Sequence, residues 1–235
     1  MPILGKAALA VWLECVAEAE ADFDRWYREQ HLAERLAVPG FLRGRRFQAV
    51  RGAPKYFAFY ETAGAEVLRS PTYLERLNNP TEWTRRVMPE VRNFTRGVYG
   101  LVHTEGGPGA GNVAQAVATL RLDHVPGREE ALRARYRHEA LKAMAAVPGV
   151  LSATLFEADP AATGGATIER SLIGTAASAP VFFCLCELED AAAAERPGWR
   201  ALLAAGGPAR GDAVRDVVEG TYRLLHALIR VPGSP

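Results

Sequence analysis

Trp26-Tyr27-Arg28-Glu29-Gln30-His31-Leu32, closing on Val38-Pro39-Gly40-Phe41, is answered in the second half of the chain by Arg135-Tyr136-Arg137-His138-Glu139-Ala140-Leu141, closing on Val147-Pro148-Gly149-Val150. In each stretch a helical run stops at Pro-Gly, a strong termination signal, and a strand-like run follows. The grammar repeats but the polar residues do not: Trp26 and His31 become Arg135 and Ala140. A scaffold stated twice, with its distinctive polar residues in one statement only, predicts one specialised pocket rather than two.

Working outward from the first stretch, residues 7–14 read as a strand, 20–37 as a helix, 41–50 as a strand, and 55–62 as its hairpin partner after the turn Arg51-Gly52-Ala53-Pro54. Ser70-Pro71 is an N-cap followed by proline at the first helical position, so a helix starts there. Asn78-Asn79-Pro80-Thr81 interrupts and restarts it, and 93–103 is the last strand, giving the order βαββαβ. The glycine-rich run 105–112 lacks apolar periodicity and reads as a linker. It divides the chain into a first unit, 1–104, and a second, 113–235. In the second unit the predicted elements are strands 113–123, 150–159, 181–189 and 220–230, and helices 129–146 and from Trp199 onward. The register holds because Glu61 in Phe59-Tyr60-Glu61 matches Glu187 in Leu185-Cys186-Glu187, and Arg96 matches Arg223. Extra residues are confined to the loop 160–180.

Several strands are apolar on both faces: Leu9, Val11 and Leu13 alternate with Ala8, Ala10 and Trp12, and Phe57 and Phe59 with Tyr56, Ala58 and Tyr60. An antiparallel sheet with one wet face should alternate cleanly, so these strands need a second cover besides helices. The sheet of the other unit supplies it. The predicted fold is α+β: two tandem ferredoxin-like βαββαβ units whose antiparallel sheets pack face to face as an intrachain α/β barrel.

With 235 residues, 49% hydrophobic, the chain can bury one large core or two of about 110 residues each. A net charge of +1 gives no electrostatic reason for nucleic-acid or anionic-membrane binding. No apolar run reaches the roughly 20 residues that span a bilayer, and the start lacks a secretory pattern, so a cytoplasmic protein is expected. Cys15, Cys184 and Cys186 are odd in number and read as small buried side chains, the latter two on one side of a strand.

The βαββαβ unit with Trp26-Tyr27-x-x-x-His31 on its first helix, followed by Pro39-Gly40-Phe41, resembles the EthD-like branch of the dimeric α/β-barrel superfamily, here as a tandem fusion. The resemblance spans essentially the whole chain and is clearer in the first half. It implies the barrel fold and makes the helix histidine matching His31 a pocket acid or base. It leaves the chemistry open, because the superfamily includes cofactor-free monooxygenases, polyketide cyclases and dehydratases, lactone isomerases and haem enzymes.

On an α-helical wheel Phe23, Tyr27 and Gln30 share a face with His31 at its edge, while Leu32 and Leu36 lie opposite. That awkward helix suggests an aromatic face bordering a cavity or another subunit, with His31 at the rim and a near-neutral pKa suited to proton transfer. His31, Tyr27 and Tyr60 are the expected catalytic residues. Trp26, Arg43, Arg45, Glu61, Tyr73 and Trp83 are the expected substrate-binding residues. An arginine aimed into an apolar barrel needs a partner, so Arg43 or Arg45 with Glu61 also reads as a structural pair, which Glu187 and Arg223 could repeat. Tyr73 and Trp83, on the broken second helix, could line a pocket for a ring. His138 falls far from the wheel position of His31 and reads as solvated.

Gly106-Gly107-Pro108-Gly109-Ala110-Gly111 does not lie between a strand and a helix as a dinucleotide loop must, and no Walker A or Gly-x-Ser-x-Gly motif occurs. His31, His103, His124, His138 and His226 show no paired spacing for zinc. No metal and no cofactor are expected. The partner expected is a small apolar or aromatic molecule, with room for a homodimer. Two functions stay open. One is a cofactor-independent enzyme of dehydratase, cyclase or isomerase type, working on an aromatic or polyketide-like substrate with one pocket in the N-terminal half. The other is a non-catalytic ligand-binding or assembly protein. A haem-binding or monooxygenase role ranks below both.

Overall fold

A computed structural model describes residues 3–107, 114–163 and 165–230. The first half runs β1 (Ala7–Cys15), helix α1 (20–37), β2 (Phe41–Arg51), β3 (Tyr56–Thr62), α2 (Pro71–Asn78), α3 (Glu82–Val87) and β4 (Val91–Gly106). The second runs β5 (Ala116–His124), α4 (129–145), β6 (Val150–Ala158), one-turn helices α5 (Pro160–Thr163) and α6 (Ile168–Ser171), β7 (Phe182–Leu188), α7 (Pro197–Leu203) and β8 (Val214–Ile229). β4 continues through Glu105 and Gly106, into the expected linker, and residues 108–113 of the glycine-rich run lie outside the described residues.

The strands form one closed barrel in the order β1-β3-β2-β8-β5-β7-β6-β4. Each half contributes four neighbouring strands, and β2 with β8 and β4 with β6 join the halves by antiparallel pairing. Two-sided burial of the strands follows. Ala8, Ala10, Trp12, Phe57 and Phe59 point into the barrel with Phe47, Tyr99, Phe156, Phe183 and Tyr222, which fill it. Leu9, Val11, Leu13, Tyr56, Ala58 and Tyr60 point out under the helices of the first half. A barrel of this strand number is just wide enough for side chains to fill, and here aromatics occupy it, Phe156 and Phe183 stacking at 4.9 Å.

Local signals act as their chemistry requires. Ser70 Oγ accepts from Tyr73 N at 3.2 Å and Thr81 Oγ1 from Thr84 N at 3.1 Å, capping α2 and α3. Gly40 and Gly149, after the two Pro-Gly stops, have φ of +94° and +83°. A Cβ on Gly40 would also lie 2.5 Å from Val67 Cγ2.

Helix α1 departs from the expected wheel. Residues Tyr27–His31 form a π turn, in which Leu32 N–H donates to Tyr27 O, and Tyr136–Ala140 of α4 repeats it with Leu141 N–H and Tyr136 O. The wider turn holds one more residue than an α turn and shifts the faces that follow. Phe23, Trp26, Tyr27, His31, Leu32, Arg35 and Leu36 are consequently all buried, and Gln30 turns aside to Thr81 Oγ1 at 2.7 Å. The aromatic face covers the helix's own sheet, which removes the reason that the wheel gave for a second subunit.

Candidate functional site

Between the outer face of the first half-barrel and its helices lies a small enclosed cavity of about 50 Å³. Leu9, Val11 and Leu13 of β1, Tyr60 of β3, and Phe94 and Arg96 of β4 form its floor. Phe23, Trp26, Tyr27, His31 and Arg35 of α1 wall one side, and Tyr73 and Leu77 of α2 another. Glu169 and Arg170 of α6 and the following Ile173 come from the second half. The inserted loop 160–180 therefore caps the first-half cavity, and Ala162 and Ile173 join the first-half core.

His31 is buried at 7% exposure, with its ring centroid 4.1 Å from that of Trp26 and 4.9 Å from that of Tyr27. Its Nδ1 is buried with no hydrogen-bond partner. Burial, with Arg35 and Arg46 nearby, holds its pKa well below the ordinary histidine range. This corrects the near-neutral rim histidine: His31 is an interior, neutral imidazole. Burial likewise pushes the Tyr27 and Tyr60 phenols up, Tyr60 strongly, so both keep their protons. The Tyr60 hydroxyl is buried, and its one polar neighbour is the Tyr27 hydroxyl, toward which it donates.

Arg35 and Glu169 form a buried ion pair across the cavity edge, Arg35 Nη2 lying 2.5 Å from both carboxylate oxygens. Burial lowers the Arg35 pKa, but the Glu169 carboxylate beside it outweighs that and raises it further. Arg46, beneath α1, pairs with Asp24 at 2.5 Å and lies 4.5 Å from the centroid of Tyr27 and 4.7 Å from that of Phe23.

The expected residues thus separate into two groups. His31, Tyr27, Tyr60, Trp26 and Tyr73 converge on the cavity. Arg43, Arg45 and Glu61 do not line it: they face the barrel interior, because strand alternation sends them to the side opposite Tyr60. There Arg43 Nε and Nη2 donate to Glu61 at 2.7 and 3.1 Å. Arg45 bridges Glu61 at 2.9 Å and Glu187 at 2.5 Å, and Ser152 donates to Glu187 at 3.0 Å. Trp83 is also displaced, its indole donating to Asp22 at 3.2 Å beside Arg25 and Arg86, outside the cavity wall. Arg223 does not pair with Glu187; it donates to Gln48 at 2.7 Å. Arg35, Arg96, Glu169 and Arg170 were missed. Arg35 had a signal, since it lies one turn beyond His31, but Glu169 and Arg170 sit in a loop without periodicity.

The matching face of the second half is filled. Ala140 stands where His31 does, the Tyr136 hydroxyl donates to Ala209 O at 3.1 Å, and Trp199 is fully buried. Cys184 and Cys186 pack on Met144 with sulfur separations of 3.7 and 3.8 Å. Exposed His138 takes no part.

No family model and no curated protein matches this sequence. Solved structures do match. An anthrone oxidase-like protein is 14% identical over 97% of this chain and 95% of its own, with a TM-score of 0.65. A candidate monooxygenase from Lactobacillus acidophilus is 9% identical over 95% of both chains, TM-score 0.54. A candidate chlorite dismutase is 14% identical over 95% of this chain and 96% of its own, TM-score 0.53. At such identities the likeness is one of fold. The fold is the dimeric α/β barrel, closed here within a single chain.

An α/β barrel of this kind leaves the chemistry to its sites. A haem macrocycle does not fit at His31, where the cavity encloses about 50 Å³ and the Trp26 ring lies against the imidazole. Among the described residues no group of three or more His, Cys, Asp or Glu side chains is placed to hold a metal ion, and no helix is long and apolar enough to cross a membrane.

Proposed function

We propose that this chain is an EthD-like small-molecule enzyme performing proton-transfer chemistry, of isomerase, cyclase or dehydratase type, on an aromatic or polyketide-like substrate at the capped cavity of its first half. The observation that carries the reading is a buried, neutral histidine with a partnerless ring nitrogen beside two protonated phenols in an apolar enclosure.

A depressed pKa keeps His31 in its base form throughout the neutral range. When a C–H bond next to a substrate carbonyl breaks, the proton passes to the imidazole and the electron pair to the carbonyl oxygen as an enolate. Tyr60, whose hydroxyl otherwise meets only that of Tyr27, can turn its O–H to donate to that oxygen. The imidazolium formed is a strong acid in this setting and returns the proton, either to another carbon or to a departing β-hydroxyl, which leaves as water. Excluding bulk water strengthens each of these interactions.

Solvent-deuterium exchange into a panel of cyclic diketones, anthrones and polyketide lactones, followed by proton NMR, tests the reading. Wild type should catalyse exchange into at least one class, and His31→Ala should lose about 100-fold or more of that rate while still binding the compound. Binding without exchange in the wild type would instead establish the non-catalytic ligand-binding reading.

A further inference from the structure

Outside the capped cavity lies a second hollow of about 310 Å³, and the two share Phe94, Arg96, Arg170 and Ile173 as a common wall. The inner chamber alone is below the few hundred Å³ usual for ligand sites; the outer hollow brings the pair into that range. The wall between them carries two like charges. Arg96 Nη2 reaches the Tyr73 hydroxyl at 3.4 Å, and Arg170 donates from Nη1 to Gly165 O at 2.6 Å.

The remaining nitrogens of Arg170 are distinctive. Nε and Nη2 are both buried and hold no carboxylate; the Tyr73 hydroxyl is the polar group beside this guanidinium. The neighbouring carboxylate, Glu169, has both oxygens engaged by Arg35. Nε and Nη2 form the side of a guanidinium that grips a carboxylate with two parallel bonds. The same edge holds carboxylates twice elsewhere in this molecule, Arg43 on Glu61 at 2.7 and 3.1 Å and Arg133 on Glu157 at 2.8 and 2.6 Å. Burial and the charge of Arg96 push the pKa of Arg170 down, yet a guanidinium stays charged at neutral pH. A buried cation whose donor edge has a neutral phenol and no carboxylate for company, at the boundary of an apolar chamber, is suited to an anion brought by a ligand.

We propose that Arg170, with Arg96 beside it, is an anion subsite, and that the substrate is an aromatic carboxylate that occupies the two adjoining hollows together, its carboxylate bonded to Arg170 Nε and Nη2. The proposal rests on the capped cavity being the ligand site and adds the charge of the substrate to that reading. It also gives the inserted loop a role in recognition, since Arg170 comes from the second half and Arg96 from the first.

Titration calorimetry with 2-naphthoate and its neutral isostere 2-naphthamide separates the two readings. Wild type should bind the carboxylate about tenfold or more tightly than the amide, the difference expected for a charge-assisted pair. In Arg170→Met, checked for native folding by circular dichroism, that preference should collapse while the amide affinity stays the same; Arg170→Lys should retain part of it. Equal binding of both compounds to the wild type, or a preference that survives Arg170→Met, overturns the anion subsite and leaves the cavity standing. Binding of neither compound overturns both.

Discussion

At the scale of single residues, His31 does two things that oppose one another. Under the proposed function it keeps a base ready in a buried chamber, and it costs the fold an imidazole that resists taking up a proton. The unfolded chain protonates this side chain near its ordinary pKa of about 6.5, while the folded chain resists until a lower pH. Stability is therefore complete above that range and falls as pH drops through it, by up to about 1.4 kcal/mol per pH unit for one proton, until the depressed folded pKa is reached. Urea denaturation of wild type and His31→Gln at about pH 7.5 and about pH 5 should show a steeper loss in the wild type. Partly buried His226, also shifted down, is present in both proteins and cancels. Equal losses would mean that His31 is not held neutral by its surroundings. The sequence singled out His31, Tyr27, Tyr60, Trp26 and Tyr73 because aromatic and polar residues at helix and strand spacing stood out from a duplicated background. It could not show that the histidine lies in the interior, because the π turn that rotates it inward has no distinctive composition.

At the scale of elements, the α1–α6 contact decides whether the chamber is closed. Arg35 and Glu169 lie 134 residues apart in sequence and are buried together. Removing one member of such a pair strands the other charge, whereas replacing both with apolar side chains of similar volume is often neutral. Glu169→Ala should cost about 3 kcal/mol or release the cap locally, and Arg35→Met/Glu169→Met should recover most of that loss. Hydrogen exchange over residues 160–180, read beside global unfolding, distinguishes the two routes. Unchanged protection and unchanged stability in Glu169→Ala would show that the ion pair does not hold the cap. Element boundaries were largely legible, because Pro-Gly stops, Ser70 and Thr81 caps and two-sided strands are local signals with local causes. The cap was legible only as extra length: residues 160–180 lack periodicity, and their placement is fixed by burial of Ala162 and Ile173 against the other half.

At the scale of the molecule, the seams β2·β8 and β4·β6 close the barrel, and the Arg43–Glu61–Arg45–Glu187 network crosses between the halves inside it. A free first half would expose two strand edges and leave Arg45 without Glu187. Expressed alone, residues 1–107 should self-associate through those edges, as unpaired strands do. Light scattering after gel filtration should find a dimer or larger species, and adding residues 114–235 should convert it to a one-to-one complex. A stable monomeric fragment would show that the seams are dispensable. The need for a second sheet was legible in strands greasy on both sides, though not which strands meet at the seams; for Arg43 and Arg45 the sequence allowed both a ligand contact and a structural pair with Glu61, and the structure has the pair. The origin of the cap in the opposite half carries a wider consequence. In an assembly of two identical chains every substitution appears twice, so a hollow kept open on one side is kept open on the other, and the loss in packing is doubled. A single chain that encodes both sides escapes that rule: Ala140, Cys186 and Trp199 can plug one side for durability while the other keeps its hollow. The two faces need not match, and the lopsidedness is heritable.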